Sequence, residues 1–324
     1  MASPGTKKVT RERRQRLERC KRFGRQSSAP CPRSAVIHAM PDTRIHTVRE
    51  MRAPTVVIES RKGLFDLEFS SVWEYRELLY FLVWRDVKVR YKQTVIGAGW
   101  VILQPLITMM TFTVIFSYLA KIPSDGLPYP IFAYTALLPW TYFSQALGRG
   151  GGGLVGNANL ISKIYFPRLI IPLASVVTPL VDFVLSFVIV LGLMVWYGIA
   201  PTWGVLALPL FLLLALMTAL AVSLFLSALN VKYRDVGYVI PFLTQFWMYA
   251  SPVIYPVSLV PERWRLLYGL NPMVGVIEGF RWALLGKAAP DFRVISISIV
   301  MVVALLFAGI VYFKQMERTF ADVI

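Results

Sequence analysis

Asp182 stands almost alone as an acid within the long apolar stretches of this 324-residue sequence. A charge in hydrocarbon is costly, so its carboxylate is expected to face a protein interior. Two uses stay open for it: pairing with a helix hydroxyl or a basic side chain, or a part in transport. Four cations, Arg85, Lys88, Arg90 and Lys92, fall in one short helical segment. The basic stripe of Arg85, Lys88 and Lys92 suits anionic headgroups or an acidic partner. The usual catalytic signatures are missing. A phosphate-binding P-loop needs Gly-Lys followed by Ser or Thr, and here Gly286-Lys287 is followed by Ala288. Gly148, Gly150 and Gly153 have dinucleotide-loop spacing but follow an apolar helix instead of a strand, which fits a hinge better. HExxH and GxSxG do not occur, and both histidines, His38 and His46, lie in the N-terminal tail with Cys20 and Cys31. That Cys/His order lacks the close pairs of tetrahedral zinc sites, so no metal and no catalytic residue is assigned.

The elements that position these residues follow from composition. The chain is 56% hydrophobic and 16% charged, with a mean hydropathy of +0.58, well beyond a soluble mix. Of the net charge of +16, residues 1–62 supply +11 through 16 Lys and Arg against 5 Asp and Glu. That concentration argues against nucleic acid as the partner of the body. Residues 1–60 are expected to form a basic flexible segment, because they hold no apolar run able to offset ordering entropy. Arg13-Arg14 is not followed by the apolar stretch of a twin-arginine signal, and Met40 and Met51 stay open as alternative starts.

An all-α integral membrane protein is expected. Residues 61–95 form an amphipathic interface-helix region: Tyr80, Trp84, Val87 and Tyr91 share one face, and Arg85, Lys88 and Lys92 another. An ordinary soluble amphipathic helix is the rival reading of that segment. Residues 96–320 hold six spans near 97–119, 129–148, 169–198, 205–229, 236–257 and 294–313, each near the roughly 20 residues a bilayer requires. Loop cations Arg149, Lys163, Arg168, Lys232 and Arg234 place both termini in the cytoplasm. The region 259–293 carries Arg263, Arg265, Arg281, Lys287 and Arg293 on the outer side, and re-entrant segments with snorkelling cations reconcile it with that rule. Two spans mix aromatic and polar residues: Trp140, Tyr142, Phe143 and Gln145, then Gln245, Phe246, Trp247 and Tyr249. Aromatic faces stack on sugar rings, and they also form interfacial belts.

Taken together, WRDVKVRYKQT at 84–94, GAGWVILQP at 97–105, LLPW at 137–140, NANLISKIYFPR at 157–168, NVKYRDVG at 230–237, SPVIYP at 251–256 and NPMVGVIEGFRWALLG at 271–286 carry a resemblance. Over residues 56–320 the sequence resembles permease subunits of ABC transporters of the transmembrane type-2 family that export O-antigen, capsule or teichoic-acid polymers. The resemblance implies a homodimer in the bacterial inner membrane, joined by two copies of a separate ATPase that holds ATP and Mg. No cofactor is then bound by this chain. It further implies ATPase-coupling roles for Lys163, Tyr165, Phe166, Pro167, Arg168, Tyr233, Arg234 and Asp235, and an outer gate of Glu278, Phe280, Arg281 and Trp282. Arg85, Lys88, Arg90 and Lys92 would meet a polyprenyl diphosphate headgroup, with plain lipid anchoring as the rival. Trp140, Tyr142, Phe143, Gln145, Gln245, Trp247 and Tyr249 are the channel-lining candidates. The competing classes are an exporter of a smaller lipid or drug, a membrane-embedded sugar or acyl transferase, and a scaffold. A transferase should show a loop cluster of carboxylates or histidines, and the loops hold only scattered acids.

Overall fold

Prolines and glycines divide the chain into helices, as seen in a computed structural model that describes residues 69–92, 99–286 and 291–323. The basic segment 1–60, residues 93–98 and Lys287 lie outside the described residues. Helices α1 (Phe69–Glu74) and α2 (Arg76–Lys92) precede α3 (Gly99–Phe112), which runs on through wider π turns over Thr113–Leu119. Next come α4 (Tyr129–Gly156), the single turn α5 (Ala158–Ile161), α6 (Ile170–Val177) and α7 (Leu180–Trp196). After a 3-10 turn at Trp203–Ala207 follow α8 (Leu208–Lys232), α9 (Val236–Tyr249), α10 (Glu262–Tyr268), α11 (Pro272–Leu285) and α12 (Phe292–Val323). No strand occurs among the described residues.

Four helical stretches are long and apolar enough to cross a membrane: Gly99–Leu119, Ile170–Trp196, Trp203–Lys232 and Phe292–Glu317. They coincide with the first, third, fourth and sixth expected spans. The second and fifth fall on α4, whose 28 residues are rich in aromatic residues and glycine, and on α9, which has 14. Outward faces of the long helices stay apolar, as Val184, Val188, Leu191 and Val195 do along one side of α7. Such a stripe is stable against lipid and unfavourable in water.

The centre of the bundle is α4. Nineteen of its 28 residues are buried, so no one face of it is the inside, and it packs against α3, α6, α7, α8, α9 and α11. Helix α11 seats on this core by way of two glycines four apart, the spacing that lets helices approach closely. Gly275 lies against Ser298 of α12, where an added Cβ would sit 2.7 Å from the hydroxyl, and a Cβ on Gly279 would overlap the Phe211 ring of α8. Gly279→Val is therefore expected to destabilise the detergent-solubilised chain by about 1–3 kcal/mol through overpacking. Gly152, whose Cβ position meets open space within α4, is the control: Gly152→Ala should melt with the parent or slightly above it. Equal melting temperatures for Gly279→Val and the parent would remove this account of α11.

Candidate functional site

Helix α2 has no Gly or Pro, begins with Glu77 in its first turn and ends with Arg90 and Lys92 in its last, so its charges complement the helix dipole. Its Leu82 is buried in a cluster with Phe166, Ile170, Ile171, Phe313 and Phe320. Two arginines then tie it to the bundle. Arg85 pairs with Asp86 at 2.8 Å and donates from Nη2 to Oδ1 of Asn157 at 3.0 Å. Arg90 Nη1 donates to the Asp182 carboxylate and, at 3.1 Å, to Oε1 of Gln145, while the Tyr91 hydroxyl donates to the other oxygen of Asp182. Asp182 is 4% exposed, yet both its oxygens accept, and charge-assisted bonds of this kind are about twice as strong as neutral ones. Burial first, then the hydrogen bond and negative charge of Asp182, push the Tyr91 hydroxyl up to about 12, so it remains a neutral donor near pH 7.

Of the four cations Arg85, Lys88, Arg90 and Lys92, the two arginines engage protein groups, while the two lysines are exposed. Beside Arg90 opens a pocket of about 130 Å³ between α2, α3 and α4, walled by Trp100, Gln104, Thr141 and Gln145.

The connection from α4 to α6 starts at Asn157, whose amide closes the helix by donating to the Gly153 carbonyl at 2.9 Å. Beyond it the expected coupling residues separate into two sets. Lys163 and Tyr165 point outward, the latter 75% exposed, together with the apolar Ile164. Phe166 is 5% exposed and belongs to the cluster under α2. Pro167 is half-buried, and Arg168 donates from Nη1 to the Glu317 carbonyl at 2.5 Å and stacks over Phe320. At the same end of the bundle, the turn after α8 exposes Tyr233, Arg234 and Asp235. Asn230 holds that turn: its Nδ2 donates to the Gly151 carbonyl of α4 at 2.9 Å and its Oδ1 accepts from the Gly237 amide at 3.1 Å.

At the other end of α4, the Tyr129 hydroxyl donates to the Ile254 carbonyl at 2.9 Å. Arg281 of α11 is 7% exposed and reaches the same 251–256 turn, donating to the Val253 carbonyl at 3.1 Å and the Tyr255 carbonyl at 3.4 Å. Its guanidinium lies 3.7 Å from the centre of the Phe132 ring and pairs with Glu278 at 3.4 Å. Phe280 is buried, and Trp282 is half-buried with an edge-on contact to Phe211. Asn271 caps α11 by accepting from the Met273 amide and also accepts from Trp247 Nε1 at 2.8 Å.

Among the channel-lining candidates, Trp140, Tyr142 and Phe143 are buried inside the chain, and Phe143 packs edge-on against half-buried Trp247. Gln145 serves Arg90. Gln245 and Tyr249 lie on the exposed face of α9 and bond to each other at 3.2 Å, flanked by Tyr238, Phe242 and Phe246. In the sequence Asp182 and Arg90 stand out without being joined, and nothing there assigns a role to Asn157, Asn230 or Asn271 individually. Their signal was a polar amide at the edge of an apolar run, which helix ends require.

A family model described as "ABC-2 type transporter" matches residues 77–285. The chain is similar to the O-antigen export system permease protein RfbA of Myxococcus xanthus, at 33% identity over 255 residues, covering 78% of this chain and 97% of that protein. A Klebsiella pneumoniae protein of the same name is 26% identical over 252 residues, 76% of this chain and 95% of its own. The polysialic acid transport protein KpsM of Escherichia coli is 22% identical over 239 residues, 72% and 91% respectively.

Proposed function

This chain belongs to the ABC-2 type transporter family, and we propose that it is the membrane-spanning permease of an ATP-driven exporter of lipid-linked polysaccharide, of O-antigen, capsule or teichoic-acid type. The observation that carries the reading is the similarity along almost the whole length of an O-antigen export permease. In this reading α4 and α9 complete six spans in the bacterial inner membrane, both termini face the cytoplasm, and α2 lies in the interface. Two copies assemble with two copies of a separate ATPase that binds ATP and Mg. This chain itself performs no bond chemistry.

The division between exposed and buried residues gives each a task. Lys163, Tyr165 and the Tyr233–Asp235 turn meet the ATPase, and Phe166 with Arg168 carries its push into α6 and α12. Lys88 and Lys92 receive the anionic headgroup on the exposed face of α2, each surface cation contributing about 1 kcal/mol against anionic lipid. Gln245 and Tyr249 on α9 offer sugar-stacking and hydrogen-bonding groups to the polymer, with Trp140, Tyr142, Phe143 and Trp247 as the rigid backing of that wall. Glu278, Phe280, Arg281 and Trp282 hold the outer gate.

The test is co-purification from membranes with the ATPase encoded nearest to this chain, followed by ATP turnover and polymer transfer in reconstituted vesicles. A stable complex that moves polymer only with ATP is expected. Polymer modification by this chain alone, with no ATPase bound, would move the assignment to a membrane transferase.

A further inference from the structure

We propose that Asp182 is a positioning residue that locks helix α2 to α7, so that a push on the 157–169 connection, which enters α6 directly, also reaches α7 beyond the Thr178-Pro179 break through α2. The proposal rests on the permease reading above. Three observations carry it. First, α2 is fastened at two points that straddle the connection: Arg85 to Asn157 at its start, and Arg90 with Tyr91 to Asp182 in the helix pair that follows it. Second, between the two ends of the connection Leu82 of α2 packs in the same buried cluster as Phe166, so displacement of Phe166 is felt by α2. Third, Asp182 is itself buried and joins three helices, since Arg90 also donates to Gln145 of α4. Arg149 of α4 adds its positive charge near the same carboxylate.

A packed joint of this kind has few intermediate positions, because both oxygens of the carboxylate are held by donors on one rigid helix. Arg85 and Arg90 lie five positions apart, about 7.5 Å along the helix, so α2 acts as a short strut between the connection and α7. Without the carboxylate the strut keeps its Leu82 contact and loses its hold on α7. ATP hydrolysis then continues while α7 follows poorly.

The experiment uses the full complex in lipid nanodiscs and vesicles. Three variants are compared with the parent: Asp182→Asn, the double Arg90→Gln/Asp182→Asn, and Arg90→Lys. The double variant removes one charge of each sign, leaving Arg149 as in Asp182→Asn but without the positive charge of Arg90 beside it, and it decides the matter if Asp182→Asn fails to accumulate. A spin label at Tyr80→Cys, exposed on α2, reports helix motion once Cys20 and Cys31, the two cysteines of the sequence, are replaced by serine. ATP hydrolysed per polymer moved should rise roughly tenfold in Asp182→Asn and in the double variant, within the usual range of coupling energies. Arg90→Lys keeps the charge and should recover most of the ratio. The label should become more mobile in the first two variants and lose its response to ATP. Parent-like coupling in the double variant overturns the proposal. So does a fall of turnover and transfer in equal proportion with the label no more mobile, because Asp182 would then be ordinary structure. If the parent chain binds no ATPase, the permease reading fails by itself, and the label alone decides whether Asp182 anchors α2.

Discussion

Tyr165→Ala is expected to leave the chain folded and to weaken its binding to the ATPase by about 2 kcal/mol, roughly thirtyfold, the effect of truncating an interface anchor. The neighbouring Phe166→Ala is expected to do the reverse, destabilising the chain itself by about 3–5 kcal/mol. The contrast follows from local geometry. Residues 165–167 have no helical or strand pairing, and a residue before proline is driven toward the extended region, so Tyr165 and Phe166 project to opposite sides. One side is solvent, where Tyr165 is 75% exposed beside Ile164. The other is the cluster that joins α2, α6, α8 and α12, where Phe166 is 5% exposed. An exposed tyrosine next to an exposed isoleucine gives no folding benefit to the isolated chain, whereas burial of both by a partner would contribute. Thermal melts of each purified variant, set beside the dissociation constant for the ATPase, separate the two roles. If Tyr165→Ala bound normally, the outward set would not be the contact, and the 233–235 turn would have to carry it.

Much of the architecture was legible because it depends on local chemistry. Thr178-Pro179 breaks the third span into α6 and α7, Gly286 closes α11 with a φ of 66°, and Asn271-Pro272 opens it with a side-chain cap. Apolar runs alone mark α3, α8 and α12. What stayed hidden was direction. In α4 nearly every position is apolar or small, so periodicity gives no sign that Trp140, Tyr142 and Phe143 turn inward while Gln145 turns to an arginine 55 positions earlier. The Arg90–Asp182 pair spans 92 positions, and neither residue type names its partner. The cations Arg85, Lys88, Arg90 and Lys92 look alike in sequence, yet they divide by side-chain type: both arginines bind protein acceptors and both lysines face outward. A planar, multi-donor guanidinium suits fixed acceptors, and a compact hydrated ammonium suits the surface.

Arg281→Ala is expected to destabilise the chain by about 3–5 kcal/mol, because removing one partner of a buried ion pair leaves the other groups uncompensated. Four interactions end together: the donations to the Val253 and Tyr255 carbonyls, the pairing with Glu278, and the stacking on Phe132. Tyr129 still reaches Ile254 and the α11 cap Asn271 still donates from Nδ2 to Ser251 Oγ at 2.9 Å, so the 251–256 turn keeps those two ties and loses its tie to the middle of α11. The charge is not what the fold needs. Arg281 Nε has no hydrogen-bond partner among the described residues, so the guanidinium is itself imperfectly satisfied. A double variant Arg281→Met/Glu278→Gln, which fills the volume and removes both charges, should therefore recover most of the lost stability. Arg281→Lys should fall between, since an ammonium does not cover Phe132 as a flat guanidinium does. Melting of the four proteins in one detergent gives the order: parent, double variant, Lys, Ala, with a spread on the order of 10 °C for a chain of this size. An Arg281→Ala protein melting with the parent would show that the turn is held by Tyr129 and Asn271 without the arginine. If the expected order holds and the double variant still fails to transfer polymer in reconstituted vesicles, the pair serves the gate's working and not its folding.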